Sequence, residues 1–82
     1  MSSKLLKLTI SRVDGPVFDG EVIFVTVPGI AGEMTILANH SALISPLKAG
    51  TLKIKKSADS TEEIAIEQGT LEISQNHATI LI

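Results

Sequence analysis

Apolar and polar residues alternate along most of this 82-residue chain. The alternation is clearest in Lys4–Ser11, where Leu6, Leu8 and Ile10 occupy every second position, and it returns in Thr51–Lys56. A period of two places successive apolar side chains on one face of a β-strand. No window of helical length repeats its apolar residues at the three- and four-residue spacing of a helix. The pattern therefore predicts an all-β chain.

Turn signals divide the alternating pattern into short segments. They include Asp14-Gly15-Pro16, Asp19-Gly20, Gln68-Gly69 and Gln75-Asn76. Their spacing is close to the 8–12 residues typical of β-sandwiches and barrels. We therefore expect nine or ten short strands in two packed antiparallel sheets. The segment Val22–Val27 is apolar on both faces, which predicts either a central strand or a strand whose outer face is covered by a partner.

The stretch Val27–Gly50 breaks the regular pattern. It contains a turn at Pro28-Gly29, an isolated carboxylate at Glu33, a bend at Asn39-His40 and a second proline at Pro46. Functional residues are concentrated in connections that a rigid scaffold displays. This stretch is therefore where we expect the functional residues to lie.

Composition limits the classes of function. The chain is long enough for one domain, spanning 1–82, and its net charge of −2 gives no attraction to nucleic acid or anionic lipid. Phe18 and Phe24 are the only aromatic residues, so stacking platforms for single-stranded nucleic acid or sugars are missing. No apolar run approaches the roughly 20 residues of a membrane helix. We expect no nucleic-acid partner and no direct insertion into lipid.

The candidate chemical groups form no recognisable active site. His40 and His77 are the only histidines and Cys is absent, whereas zinc needs three or four ligands. Ser41 lacks both the GxSxG elbow and an evident carboxylate partner. Glu33 has no neighbouring second titratable group for acid–base work, so it is either a solvated turn carboxylate or a contact residue. His40 is equally either a plain loop residue or a contact residue. We expect no catalytic site, metal or cofactor.

The irregular stretch, together with its flanks, resembles a known family. Its ordered elements are Gly32-Glu33, the short apolar strand Met34–Leu37, the Asn39-His40 bend, Leu43-Ile44 and the turn Lys48-Ala49-Gly50, with Val17–Gly20 upstream and Gln68–Ile73 downstream. This order resembles the signature of the epsilon subunit of rotary proton-translocating ATP synthases, called delta in mitochondria. The resemblance covers nearly the whole chain.

The resemblance implies a flattened ten-stranded antiparallel β-sandwich that serves as a non-catalytic part of the rotor. In that family the domain binds the gamma subunit at the foot of the central stalk, touches the loops of the c-ring and couples rotation to the catalytic head through gamma. Glu33 matches the carboxylate that faces the ring, and His40, Ser45 and Arg12 match positions near gamma. The implied location is peripheral, on the cytoplasmic side of a bacterial inner membrane, with an organellar counterpart as the alternative.

Several departures from the family pattern are visible. Ala31, Thr35 and Ala42 stand where the family often has Glu, Gly and Pro. Many members also continue into a C-terminal helical hairpin, whereas this sequence ends at Ile82, so neither that hairpin nor nucleotide binding is expected of it. The gamma-facing surface is expected to include His40 and the outer side of Val22–Val27. A stand-alone ligand-binding sandwich is the second hypothesis, and a hydrolase built on His40 and Ser41 is the third.

Overall fold

A computed structural model describes residues 5–82 and confirms the all-β prediction. Nine strands account for the described part of the chain, and it contains no helix. In chain order they are β1 (Leu6–Arg12), β2 (Gly15–Val22), β3 (Phe24–Gly29), β4 (Gly32–Leu37), β5 (Leu43–Leu47), β6 (Gly50–Ser57), β7 (Ser60–Ile66), β8 (Gly69–Ser74) and β9 (His77–Leu81).

The strands form one continuous, curled sheet rather than two separate ones. Its order is β2-β1-β9-β8-β5-β3-β6-β7, and β4 pairs with the other edge of β3. The two halves join through a narrow strand pairing, in which Gly29 of β3 lies opposite Leu47 of β5. At the far corner, the Ile23 amide between β2 and β3 donates to the Lys55 carbonyl at 2.7 Å. The two junctions allow the halves to close on a shared core in the manner of a sandwich.

The nine strands of the described residues agree with the nine or ten expected, but two details differ from the sequence-based expectation. First, β1 pairs with β9 in parallel, whereas the other pairs among the described strands are antiparallel. The predicted turn at Asp19-Gly20 is wrong, because both residues lie inside β2 opposite Thr9 and Leu8 of β1. The Thr9 hydroxyl also donates to the Asp19 carboxylate at 3.2 Å. Pairing with β1 therefore outweighs the tendency of Asp-Gly to form a turn.

The core confirms the period-two pattern. The side chains of Leu6, Leu8 and Ile10 are completely buried, as are Leu52 and Ile54 on β6. The remaining buried apolar residues come from both halves of the sheet: Val22, Val25, Val27, Ile36, Leu47, Ile66, Leu71, Ile73, Ala78 and Ile80. Packing of this kind is what holds so short a chain together.

Strand register defines two opposite ends of the molecule. A row of directly paired residues crosses the sheet from the C-terminal end of β1 to the β3–β4 hairpin; its pairs are Ser11–Leu81, Leu81–Thr70, Thr70–Pro46 and Leu47–Gly29. We call this the hairpin end. The N-terminal end of β1 lies near the β8–β9 turn and the Asn39-His40 bend, since Asn76 bonds to both Leu5 and Asn39. We call this the bend end.

A glycine substitution tests whether close packing holds the hairpin in place. A Cβ on Gly29 would lie 2.7 Å from the Gly32 carbonyl oxygen and 2.9 Å from the Met34 Cε. We expect Gly29→Ala to lower the free energy of unfolding by about 1–3 kcal/mol, because the backbone of the hairpin must move. Urea unfolding followed by circular dichroism measures this without the Trp and Tyr that the chain lacks.

Gly20→Ala is the matched control. Its Cβ would meet only the Phe18 ring, at an ordinary distance of 3.7 Å. Equal unfolding midpoints for the two variants would contradict the packing argument at Gly29.

Candidate functional site

The β3–β4 hairpin carries Glu33 at the hairpin end. Gly29 pairs with Gly32, which leaves Ile30 and Ala31 as the loop, and Glu33 lies opposite Pro28. Gly32 has a φ of +142°, a conformation that side chains rarely adopt. Ile30 is 60% exposed and Glu33 is also exposed. The tip of the hairpin therefore presents one apolar side chain and one carboxylate to solvent.

The loop end of the hairpin is held by β5 and by the connection between β5 and β6. The Lys48 amide donates to the Pro28 carbonyl at 2.9 Å, and the Ile30 amide donates to the Pro46 carbonyl at 3.4 Å. Pro28 is itself buried, and a Cβ on Gly50 would lie 2.8 Å from the Pro28 Cβ. Backbone bonds and close contacts thus hold Glu33 on a supported hairpin rather than on a free loop.

His40 lies in the connection between β4 and β5 at the bend end. The bend begins at a turn in which Asn39 has a φ of +63°, a conformation that Asn tolerates better than most residues. The His40 Nδ1 donates to the Ser41 carbonyl oxygen at 2.8 Å. Because a carbonyl can only accept, this bond leaves the Nε2 side of the exposed ring directed toward other partners.

Ser45 and Arg12 occupy different surroundings. Ser45 is half-buried in β5, lies opposite Leu71, and its hydroxyl donates to the Pro46 carbonyl at 3.2 Å. Arg12 is the exposed last residue of β1 and lies opposite Gly15 at the hairpin end. Arg12 is therefore about 20 Å along β1 from the bend end. The structure does not bring Arg12 together with His40.

An apolar patch extends the bend end on the outer side of β3. Leu37, the last residue of β4, is 54% exposed and lies opposite the half-buried Phe24. Thr26, the next outward-facing residue of β3, is 8% exposed and shares a 3.2 Å hydrogen bond with the Thr35 hydroxyl. On the outer side of β3, the Thr26 and Thr35 hydroxyls are thus bonded to each other, and the exposed Leu37 provides an apolar surface next to the bend.

Asn76 was not identified as a site residue from the sequence. Its side-chain oxygen accepts from the Asn39 amide at 2.7 Å, and its side-chain nitrogen donates to the Leu5 carbonyl at 2.9 Å. The Gln75-Asn76 turn signal predicted where the residue lies but not these contacts. Both require strands that are far apart in sequence to be neighbours in the sheet.

His77 lies half-exposed at the start of β9, on the solvent-facing side of the sheet. Its Nε2 lies 2.9 Å from the Thr9 hydroxyl, which donates to Asp19. Lys7 lies 3.5 Å from the same carboxylate. The parallel pairing of β1 with β9 brings these groups to one surface. Exposed charges of this kind contribute little to stability, so we interpret the group as a polar surface cluster.

Among the described residues, no catalytic triad forms around His40 and Ser41. The His40 Nδ1 is bonded to backbone rather than to a carboxylate, so the orienting partner of a triad is missing. Residues 5–82 contain no group of three or more side chains suited to a metal ion. Likewise, no helix among them is long and apolar enough to cross a bilayer.

One surface depression, on β8 and β9, does not resemble a prepared ligand pocket. One of about 340 Å³ is lined entirely by polar residues of β8, β9 and their turn: Glu72, Ser74, Gln75, His77 and Thr79. None of these residues is buried. Ligand sites are usually concave and largely apolar, with a few convergent polar groups. This polar depression therefore gives little support to a stand-alone ligand-binding module.

Comparison with known proteins identifies the domain type. Residues 5–82 match the family model of the ATP synthase delta/epsilon chain β-sandwich domain. The matched range contains every site residue discussed above. It also agrees with the architecture of a curled, two-layered β-sheet.

Similar curated proteins carry the same description. The chain is 39% identical over 77 residues to an ATP synthase epsilon chain from Sulfurimonas denitrificans, covering 94% of this chain and 59% of the relative. It is 37% identical over 78 residues to the ATP synthase epsilon chain of Bacillus subtilis, covering 95% and 58%. The chain thus spans about three fifths of the length of the curated relatives that it matches.

Two solved structures share the fold. A chain in the Euglena gracilis mitochondrial ATP synthase (OSCP, F1 and c-ring) superposes with a TM-score of 0.91 at 22% identity, covering 99% of this chain and 52% of that one. A chain in the Tetrahymena thermophila mitochondrial ATP synthase central stalk and c-ring gives 0.78 at 18% identity, covering 98% and 63%. The family match, the relatives and the shared fold agree: this chain belongs to the ATP synthase delta/epsilon chain family, and residues 5–82 are its β-sandwich domain.

Proposed function

We propose that this domain is a non-catalytic rotor component of an ATP synthase, and that it joins the gamma subunit to the c-ring. The observation that supports the proposal most strongly is the presence of two exposed contact regions, at opposite ends of a closely packed sandwich, in a chain of the delta/epsilon family. One region is the hairpin with Glu33, and the other is the bend with His40.

The hairpin end is proposed to face the polar loops of the ring. Glu33 is exposed, and no ion pair within residues 5–82 involves it. A carboxylate on a supported hairpin can fix the orientation and register of a contact without supplying much affinity. Ile30, exposed beside it, adds an apolar contact that becomes buried when the hairpin docks.

The bend end is proposed to face gamma. His40 offers its Nε2 edge, and the exposed Leu37 and the half-buried Phe24 provide apolar area beside it. Ser45 lies on β5, the strand that follows the bend. Arg12 joins the same interface only where gamma extends along the length of β1 to the hairpin end.

A sandwich is well suited to transmitting torque between these two contacts. Paired strands run from one end to the other, and the backbone hydrogen bonds of those pairs resist shear. The buried core couples the two layers, because close-packed interiors have low compressibility. In this proposal, rotation of the ring reaches gamma through the domain and then the catalytic head, at the cytoplasmic side of a bacterial membrane.

Binding to gamma provides the first test of the proposed function. We expect the chain to form a one-to-one complex with purified gamma subunit in size-exclusion chromatography. His40→Ala should weaken the complex about tenfold, because it removes one polar contact and part of a side chain that the complex would bury. Thr70→Ala, on the exposed outer face of β8, is the control and should leave the dissociation constant unchanged. Failure of the wild-type chain to bind gamma would contradict the proposal.

Charge reversal at the hairpin provides the second test. We expect Glu33→Arg to reduce binding of the chain–gamma complex to purified c-rings by about three- to tenfold at low salt, because an attraction becomes a repulsion. The difference from wild type should shrink as salt screens the charges. Circular dichroism should show an unchanged fold.

Glu72→Arg makes the same change in net charge on the outer face of β8. It should bind rings as the wild type does. Equal losses for Glu33→Arg and Glu72→Arg would mean that net charge, and not the hairpin, governs ring binding.

A further inference from the structure

Asn76 connects three separate segments of the chain at the bend end. Its backbone carbonyl accepts from the Lys7 amide at 3.2 Å, its side-chain nitrogen donates to the Leu5 carbonyl, and its side-chain oxygen accepts from the Asn39 amide. The first two bonds tie the β8–β9 turn to the start of β1. The third ties that turn to the residue immediately before His40.

The bond to Asn39 ties an exposed segment outside the strands to the β8–β9 turn. Residues 39–42 belong to no strand, and all four are exposed. The His40 ring is bonded to the next residue of the same segment, so that bond does not attach the segment to the sheet. The Asn39–Asn76 bond, at 2.7 Å, crosses 37 positions of sequence and is thus a tertiary restraint.

The local backbone explains why an asparagine can occupy this position. Gln75 and Asn76 have φ values of +51° and +61° and together form the loop of the β8–β9 hairpin. Two consecutive positive φ values are typical of a type I′ turn, in which Asn is favoured. The turn fixes the direction of the Asn76 amide, whose oxygen and nitrogen then serve two different segments at once.

We propose that Asn76 is a positioning residue for the gamma contact, holding the bend so that His40 is presented in one orientation before gamma arrives. The inference rests on the proposed function and adds a residue outside the bend itself. A preorganised segment loses less conformational entropy on binding, so removing the restraint lowers affinity even though Asn76 need not touch gamma.

Substitutions at Asn76 separate its two side-chain bonds. Asn76→Gly keeps the positive φ and removes both bonds. Asn76→Asp keeps an acceptor for the Asn39 amide and removes the donor to Leu5. Gln75→Gly is the control, since it alters the same turn at another positive-φ residue that has an exposed side chain.

Two readings are taken on each variant: hydrogen exchange at the Asn39 amide in the free chain, and the dissociation constant for purified gamma subunit. We expect Asn76→Gly to lose Asn39 protection and to bind gamma about tenfold more weakly. Asn76→Asp should retain most of the Asn39 protection and most of the affinity for gamma. Gln75→Gly should match the wild type. In a His40→Ala background, Asn76→Gly should cause little further loss, because its effect acts through His40.

The outcomes distinguish this inference from the function on which it rests. If the wild-type chain does not bind gamma, the proposed function fails and the inference fails with it. If the wild type binds but Asn76→Gly and Gln75→Gly weaken binding equally, only the positioning role is rejected. Full additivity of Asn76→Gly with His40→Ala would also reject it, because Asn76 would then act on gamma independently of His40.

Discussion

Gly29 is held by two neighbouring strands at once. It pairs with Gly32 within its own hairpin and with Leu47 of β5, at the narrow junction that joins the two halves of the sheet. Its missing side chain makes this possible, since a Cβ there would overlap the Gly32 carbonyl. The curl of the sheet, the closure of the core and the placement of Glu33 all depend on this close approach. The close backbone approach at Gly29 therefore links the closure of the sheet to the position of Glu33.

The two ends of the molecule differ in how their contact residues are supported. Glu33 is on a hairpin whose loop end is bonded to β5 and to the β5–β6 connection, so its position follows directly from sheet geometry. His40 is in an exposed segment, and the side chain of Asn76, from a turn distant in sequence, is bonded to the residue before it. In the proposed rotor, the hairpin end therefore needs no further restraint to keep its position against the ring. The bend end is suited to one lasting contact, in which preorganisation adds to affinity.

The strands and the core could be predicted from the sequence because alternation is a local property. Leu6 and Ile54 are buried because the period-two alternation places them on the inner face of their strands. Asp19-Gly20 could not be assigned correctly, because local turn chemistry competes with pairing to β1, and that pairing is a tertiary interaction. Topology also decides that Arg12 lies at the same end of the molecule as Glu33, although on a distant strand, and at the opposite end from His40. The contacts of Asn76 depend on the β1–β9 and β5–β8 pairs, which no local pattern indicates.

Site-specific cross-linking tests most directly whether the two ends face different partners. The chain contains no Cys, so a single thiol can be introduced by Glu33→Cys, His40→Cys or, as a control, Glu72→Cys. Each variant would be labelled with a photoactivatable maleimide, assembled with gamma and the c-ring, and irradiated. The account predicts cross-links to the ring from position 33, to gamma from position 40, and to neither from position 72. Cross-links from positions 33 and 40 to the same subunit, or from neither position, would contradict it.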